Sequence, residues 1–589
     1  MKRIDNKGVI TVGTHAERLA RLVTTGALVA SLGLPALAFA DVTGKDVTYP
    51  DATVTIEATD ANEEPNTYKA YKVFNALVDG SDNATYVEWA SDAAKSTVMS
   101  FLNTGTNYSS WLASNGYSDG TLPQVAAEYI SQAIRTGGFD GDFNGGSNSG
   151  ANHYPAPAGD SFATQLAQAL ASSSVTSATA TAGNTFTGSE GFYLLTANDG
   201  NVGVNEAATA PIWLPLGGSA STVVEKNALP TLTKLIQEDR DNSWGKIADA
   251  NKDQDVNVKL TATMPENIGS FESYHVTFTD KLSSAVVPQN ANTSSLAVTL
   301  YPTGLTGNAV AIPASNAQLS ASYSGNVIEV DIADVKKLGQ SITKNTVVTV
   351  AYKAHLTGDA AEGAYGNTSS ATLTYTADPV SLATKVTEPE SVALAAYQVD
   401  ITKVDKQTNK ALQGVGFKVR LKATDGSSDT ASTGKYVDAS GALVAAASAA
   451  TFTTNAAGQV TVPLLDAGTY VLEEAVVPQG YEKRPDIQLE VASTLDQAGQ
   501  KVATLTVTPT TTDNTALASD IVTTATATVN TGAVQVKTSD DKKVLMPITG
   551  MDGVTASLAY GGAAIVLGLG GWLLSRRKKE DADGEGAQA

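Results

Sequence analysis

The chain has 589 residues, 42% hydrophobic and 17% charged, which suits roughly three or four folded, β-rich units rather than a disordered polymer. Its net charge of −21 argues against nucleic acid as a partner. With no cysteine it has no disulfide, no thiolate nucleophile and no thiolate metal ligand, so if the chain is exported into harsh surroundings it needs another kind of cross-link.

In chain order, residues 1–40 read as a cleaved secretory signal. Lys2, Arg3, Lys7, Arg18 and Arg21 supply its positive region, and residues 22–39 are apolar and small. Ala38-Phe39-Ala40 satisfies the small-x-small cleavage rule, which puts the mature N-terminus at Asp41. Residues 41–227 form a first domain of mixed α/β character. Val54-Thr55-Ile56-Glu57-Ala58 alternates as a strand does, helical spacing appears near 122–136 and 161–173, and Phe192-Tyr193-Leu194-Leu195 returns to strand. The loop 137–151 carries Asp140, Asp142, Asn144 and Gly145 like the start of a calcium loop. Its twelfth position is Ala151, where such a loop needs a bidentate glutamate, so it reads as a solvated turn. The four histidines are scattered without a metal or catalytic pattern, and no metal or cofactor is expected.

Residues 228–390 and 391–535 read as two β-sandwiches, with alternating segments such as Val256-Asn257-Val258-Lys259-Leu260 divided by Gly/Asn/Ser turns. The final stretch, 536–589, opens on a polar spacer and then reads Met546-Pro547-Ile548-Thr549-Gly550. An apolar run over about 556–574 follows, long enough as a helix to span a bilayer, and then Arg576-Arg577-Lys578-Lys579.

Alternation along strands places some charged or polar side chains on apolar faces. Lys234 shares a face with Leu232 and Ile236, Asp280 with Val276 and Phe278, and Asn367 with Ala371, Leu373 and Tyr375. In the second sandwich Lys403 goes with Val399 and Ile401, and Glu474 with Tyr470 and Leu472, while Glu473 faces the other way. Lone buried charges cost several kcal/mol, so these groups are expected to meet one another.

The pentapeptide, apolar span and basic stop resemble the sorting signal of Gram-positive surface proteins, with Met546 where that family has leucine. Tyr470-Val471-Leu472-Glu473-Glu474 followed by Pro478-Gln479-Gly480-Tyr481 resembles the E-box of sortase-assembled backbone pilins. Ile401-Thr402-Lys403-Val404-Asp405 resembles the start of a CnaB-type domain. Pro230-Thr231-Leu232-Thr233-Lys234 and Phe278-Thr279-Asp280 resemble the isopeptide-forming second domain of fimbrial subunits. The resemblance implies a mainly β chain: a mixed α/β N-terminal domain, two Ig-like (CnaA/CnaB-type) sandwiches, a cleaved signal and a transmembrane sorting helix. It implies Lys–Asn isopeptide bonds between Lys234 and Asn367, assisted by Asp280, and between Lys403 and Asn530, assisted by Glu474. The inward placement of Asn530 rests on the resemblance alone. Each bond forms once per chain, so this is maturation and not enzymatic turnover.

It further implies that a sortase cuts between Thr549 and Gly550 and joins Thr549 to a lysine of the next subunit. Lys226, in Val223-Val224-Glu225-Lys226-Asn227, occupies the family's place for that lysine, with Lys69 and Lys72 as alternatives. The implied role is a major shaft subunit of a wall-anchored fimbria at the cell surface. Its partners would be sortase, identical subunits and peptidoglycan, with minor pilins and a host glycan or matrix ligand in addition. The other reading is a wall-anchored adhesin or basal subunit that does not polymerise.

Overall fold

The computed structural model describes residues 47–57, 67–78, 84–136, 162–197, 208, 211–217, 222–224, 228–426 and 432–543. The expected signal, the 137–151 loop, Lys226, the Met546–Gly550 pentapeptide and the apolar span all lie outside them. Among the described residues no helix is long and apolar enough to cross a membrane.

The chain is mainly β, and its first unit is mixed. Strand Thr67–Val78 is central, flanked by Ala84–Trp89 and Gly191–Ala197, with Ile212–Leu216 beyond the latter. A smaller sheet holds Thr185–Ser189, Asp51–Glu57 and Thr222–Val224. The helices foreseen near 122–136 and 161–173 run over Pro123–Thr136 and Phe162–Ala171. Two more, Asp92–Gly105 and Tyr108–Asn115, went unforeseen. The first is capped by Ser91, whose side chain accepts from the Ala94 amide at 3.0 Å. Its apolar residues Ala94, Val98 and Leu102, four apart, are fully buried.

The middle unit is two seven-stranded sheets sharing one core. One sheet runs from Thr231–Gln237 through Val256–Thr263 to Val347–Leu356. The other carries Val276–Leu282 between Val327–Ile332 and Asn367–Thr376. Leu260, Val348 and Val350 face Phe278, Leu373 and Tyr375 in that core. The strand Glu390–Ala395 belongs here too, paired with Asn367–Thr376 and Ile247–Asp249. A boundary at 390/391 therefore cuts off a strand of the middle unit. The division falls at Ala396, one residue before Tyr397–Asp405 begins.

The third unit packs a four-stranded sheet against a seven-stranded one. Its first strand, Tyr397–Asp405, lies between Gln459–Leu465 and the last strand, Ala533–Asp540. First and last strands run parallel, in register from Gln398↔Ala533 to Asp405↔Asp540. This corrects the expectation of a spacer from residue 536. The polar run Lys537-Thr538-Ser539-Asp540 continues the strand, with Val534, Val536, Thr538 and Asp540 all buried on it.

Candidate functional site

The middle unit buries Lys234 completely. Alternation in Thr231–Gln237 turns Leu232, Lys234 and Ile236 inward together. Lys234 Nζ lies 2.5 Å from Asp280 Oδ1 and 2.5 Å from Ser369 Oγ, and Tyr352 donates its hydroxyl to Asp280 Oδ2 at 2.7 Å. Burial pulls the Lys234 ammonium below its ordinary value, against the attraction of Asp280, and pushes the Tyr352 phenol well up. A lysine so placed has a neutral, nucleophilic fraction larger than in water.

Asn367 does not join this group. It is buried at the start of its strand, where Nδ2 donates to the carbonyls of Ala361 at 3.0 Å and Leu394 at 3.2 Å. Its Oδ1 accepts from the Ala361 amide at 3.1 Å. All its polar atoms are spent holding the 361–367 turn against the neighbouring strand. The structure brings Ser369 to the lysine in its place. A serine hydroxyl is neither an acyl group nor an acid catalyst, so Lys234 meets a single carboxyl with no second acid beside it, and the geometry here is that of a buried ion pair.

The third unit builds a second centre. Lys403 Nζ lies 2.6 Å from Asp540 Oδ1 and 3.4 Å from Glu474 Oε2, and 5.6 Å from the centre of the Phe417 ring. All three charged side chains are buried. Beyond the lysine contact on Asp540 Oδ1, neither Glu474 Oε1 nor Asp540 Oδ2 has a hydrogen-bond donor. Burial pushes Glu474 up to about 7; the Lys403 charge opposes this and the Asp540 charge adds to it. At neutral pH a good fraction of Glu474 is therefore the neutral acid, able to donate a proton. Glu473 faces outward, where Arg420 Nε donates to it at 2.8 Å.

Asn530 is not at this centre. It is exposed in the short turn Val529–Thr531 ahead of the last strand, and Asp540, ten residues further on, meets the lysine. Sequence reasoning missed Asp540 because it took the strand's end for a spacer. The parity of Val534, Val536, Thr538 and Asp540 was the signal that marks it.

Of the other lysines singled out, Lys69 and Lys72 lie on the central strand Thr67–Val78, both half-buried. Lys72 Nζ donates to Ser189 Oγ at 2.5 Å and sits 5.6 Å from the centre of the Tyr193 ring. Burial lowers it to about 8, partly offset by Asp51 and Glu190.

Residues 397–505 match the family model described as the SpaA prealbumin-like fold domain. No curated protein matches the chain. Among solved structures it is similar to the T6 backbone pilin of Streptococcus pyogenes at 15% identity and a TM-score of 0.48, covering 84% of this chain and 99% of that one. The major pilin SpaD of Corynebacterium diphtheriae gives 12% identity and a TM-score of 0.39, covering 84% and 98%. The major pilin BcpA of Bacillus cereus gives 13% and 0.36, covering 84% and 100%.

Proposed function

We propose that this chain is the shaft subunit of a covalent fimbria on a Gram-positive cell wall, and that one intramolecular amide, Lys403 to Asp540, locks its third unit. The observation that carries the reading is the buried Lys403–Glu474–Asp540 group, which joins the first and last strands of the third unit, whose residues 397–505 the SpaA model matches. In the bond-forming step the neutral Lys403 amine attacks the Asp540 carboxyl carbon. Glu474 protonates the developing oxyanion, takes the proton the nitrogen sheds, and returns it as the hydroxyl leaves in water. The products are one amide and one water. Lys234 meets one carboxyl, Asp280, and the Ser369 hydroxyl where the third unit has a second carboxyl, so the middle unit stays uncross-linked in this reading.

The ends of the chain supply the rest. A secretory signal at 1–40 exports it, and Met546-Pro547-Ile548-Thr549-Gly550 with its apolar span and basic stop presents it to a sortase. The enzyme joins Thr549 of one subunit to Lys226 of the next, and the last subunit to peptidoglycan. Lys72 is a second candidate for the linking amine, because its lowered affinity for a proton leaves more of it neutral at the working pH.

Two measurements test this. The intact mass of the mature chain is expected about 18 Da below its sequence mass, one water per amide, and equal to it in Lys403→Ala. An unshifted wild-type mass removes the amide from the account. On denaturing gels of wall extracts, Lys226→Ala is expected to abolish the high-mass ladder. A ladder that survives there and disappears in Lys72→Ala moves the link to Lys72. Wild-type chain attached only as single copies supports the adhesin or basal-subunit reading instead.

A further inference from the structure

The junction of the middle and third units gathers five carboxylates that neither lysine centre uses. Glu238 and Asp239 follow strand Thr231–Gln237, and Asp249 ends the short strand Ile247–Asp249. Asp425 follows Gly416–Thr424, and Asp466 lies just ahead of Gly468–Val476. One oxygen each from Glu238, Asp249 and Asp425 lies within 4.8 Å of the others, and so does one each from Asp239, Asp425 and Asp466. Asp425 belongs to both trios, so the five form one continuous group spanning the two units.

The group is held in place by donors. The amides of Arg240 and Asp249 donate to the two oxygens of Glu238, each at 3.2 Å. Gln254 Nε2 donates to Asp239 Oδ2 at 2.6 Å, and the Ala467 amide to Asp466 Oδ1 at 2.8 Å. Tyr397 and Ser493 donate their hydroxyls to Asp249 Oδ2 at 2.6 and 2.7 Å. Asp249 is fully buried, yet its remaining oxygen, Oδ1, has no donor. A carboxylate oxygen in that condition calls for a partner the protein does not supply. Both oxygens of Asp425 are also without a hydrogen-bond donor. Arg240 stands 3.9 Å from Asp425 Oδ2, too far for a hydrogen bond, and spends Nη1 on the Ser493 carbonyl.

We propose that these five carboxylates bind a calcium ion that ties the middle unit to the third. The donors are all oxygen, with no imidazole or thiolate, which selects a hard cation. Acidic side chains on strand ends and loops suit calcium, with its roughly six to eight oxygen ligands in adaptable geometry, better than magnesium, which is small and keeps its waters. A cleft of about 640 Å³ lined by Glu238, Asp239, Gln254, Ser432 and Lys435 reaches two of the five carboxylates.

Calorimetric titration of calcium into the EDTA-stripped mature chain tests the site, with terbium as a luminescent probe excited through Tyr397 and Tyr470. The expected result is saturable calcium binding, a higher thermal midpoint with calcium than with EDTA, and tyrosine-sensitised terbium emission that calcium displaces. Asp425→Asn, a partly exposed position, is expected to keep the native circular dichroism and weaken calcium binding at least about tenfold. The double variant Asp249→Asn/Asp425→Asn is expected to abolish it. Absence of saturable binding by the wild-type chain overturns the proposal. So does calcium affinity unchanged in Asp425→Asn, which would put any bound ion elsewhere in the chain; that single variant decides if the double one does not fold.

Discussion

Lys234 and Lys403 are both taken out of water beside a carboxylate, and they differ in the third group each meets: a hydroxyl from Ser369 for one, a carboxyl from Asp540 for the other. The first group holds a single carboxyl, with no second acid to carry protons for an amide-forming step. Ser369→Asn puts a carboxamide at the same place on the strand, so that variant is expected to lose one ammonia, about 17 Da, in intact mass. Removing the lysine instead leaves Asp280 charged, buried and uncompensated. Lys234→Met is expected to destabilise the middle unit by about 3–5 kcal/mol in chemical denaturation, and Lys234→Met/Asp280→Leu to recover part of that loss. In the third unit, Glu474→Gln keeps the shape but removes the proton shuttle. Its mass is expected to stay at the sequence value after folding, where the wild-type chain drops by about 18 Da.

At the scale of the element, alternation fixes which face a residue takes but not its height along the strand. Asn367 was read on the correct face, and one step of two residues, about 7 Å, separates it from the position that Ser369 holds against the lysine. The lysine strands, Asp280 and Glu474 were legible because apolar neighbours mark their faces. The last strand was not, because its buried second half is polar: Thr538 and Asp540 point inward among residues that otherwise look like linker. The acidic junction group was hidden differently. Its members are scattered from Glu238 to Asp466, and only the docking of two units brings them together. A chain ending at residue 535 tests the weight of that half strand. It lacks five of the eight registered pairs with Tyr397–Asp405, so its third unit is expected to lose the cooperative unfolding transition seen by circular dichroism.

Across the whole molecule the middle and third units meet without a linker. Ala396 alone separates their strands, and Ile247, Ala393 and Ala395 pack into the core of the third unit. Gln497 reaches back across the junction, accepting from the Lys246 amide at 2.5 Å and donating to the Ile247 carbonyl at 3.1 Å. The parallel first and last strands have a further consequence for a molecule pulled by its two ends. The chain enters the third unit at the Tyr397 end of this pair and departs at the Asp540 end, so a pull slides the two strands past each other and every rung resists at once. With Lys403 joined to Asp540, roughly 140 residues stay off the line of force, an extension of about 460–500 Å that never becomes available. In single-molecule stretching the wild-type third unit is expected to give no lengthening step, and Glu474→Ala a step of about that size. In a fibre made of such subunits the third units would hold their length under flow, and any lengthening would have to come from units without such a bond.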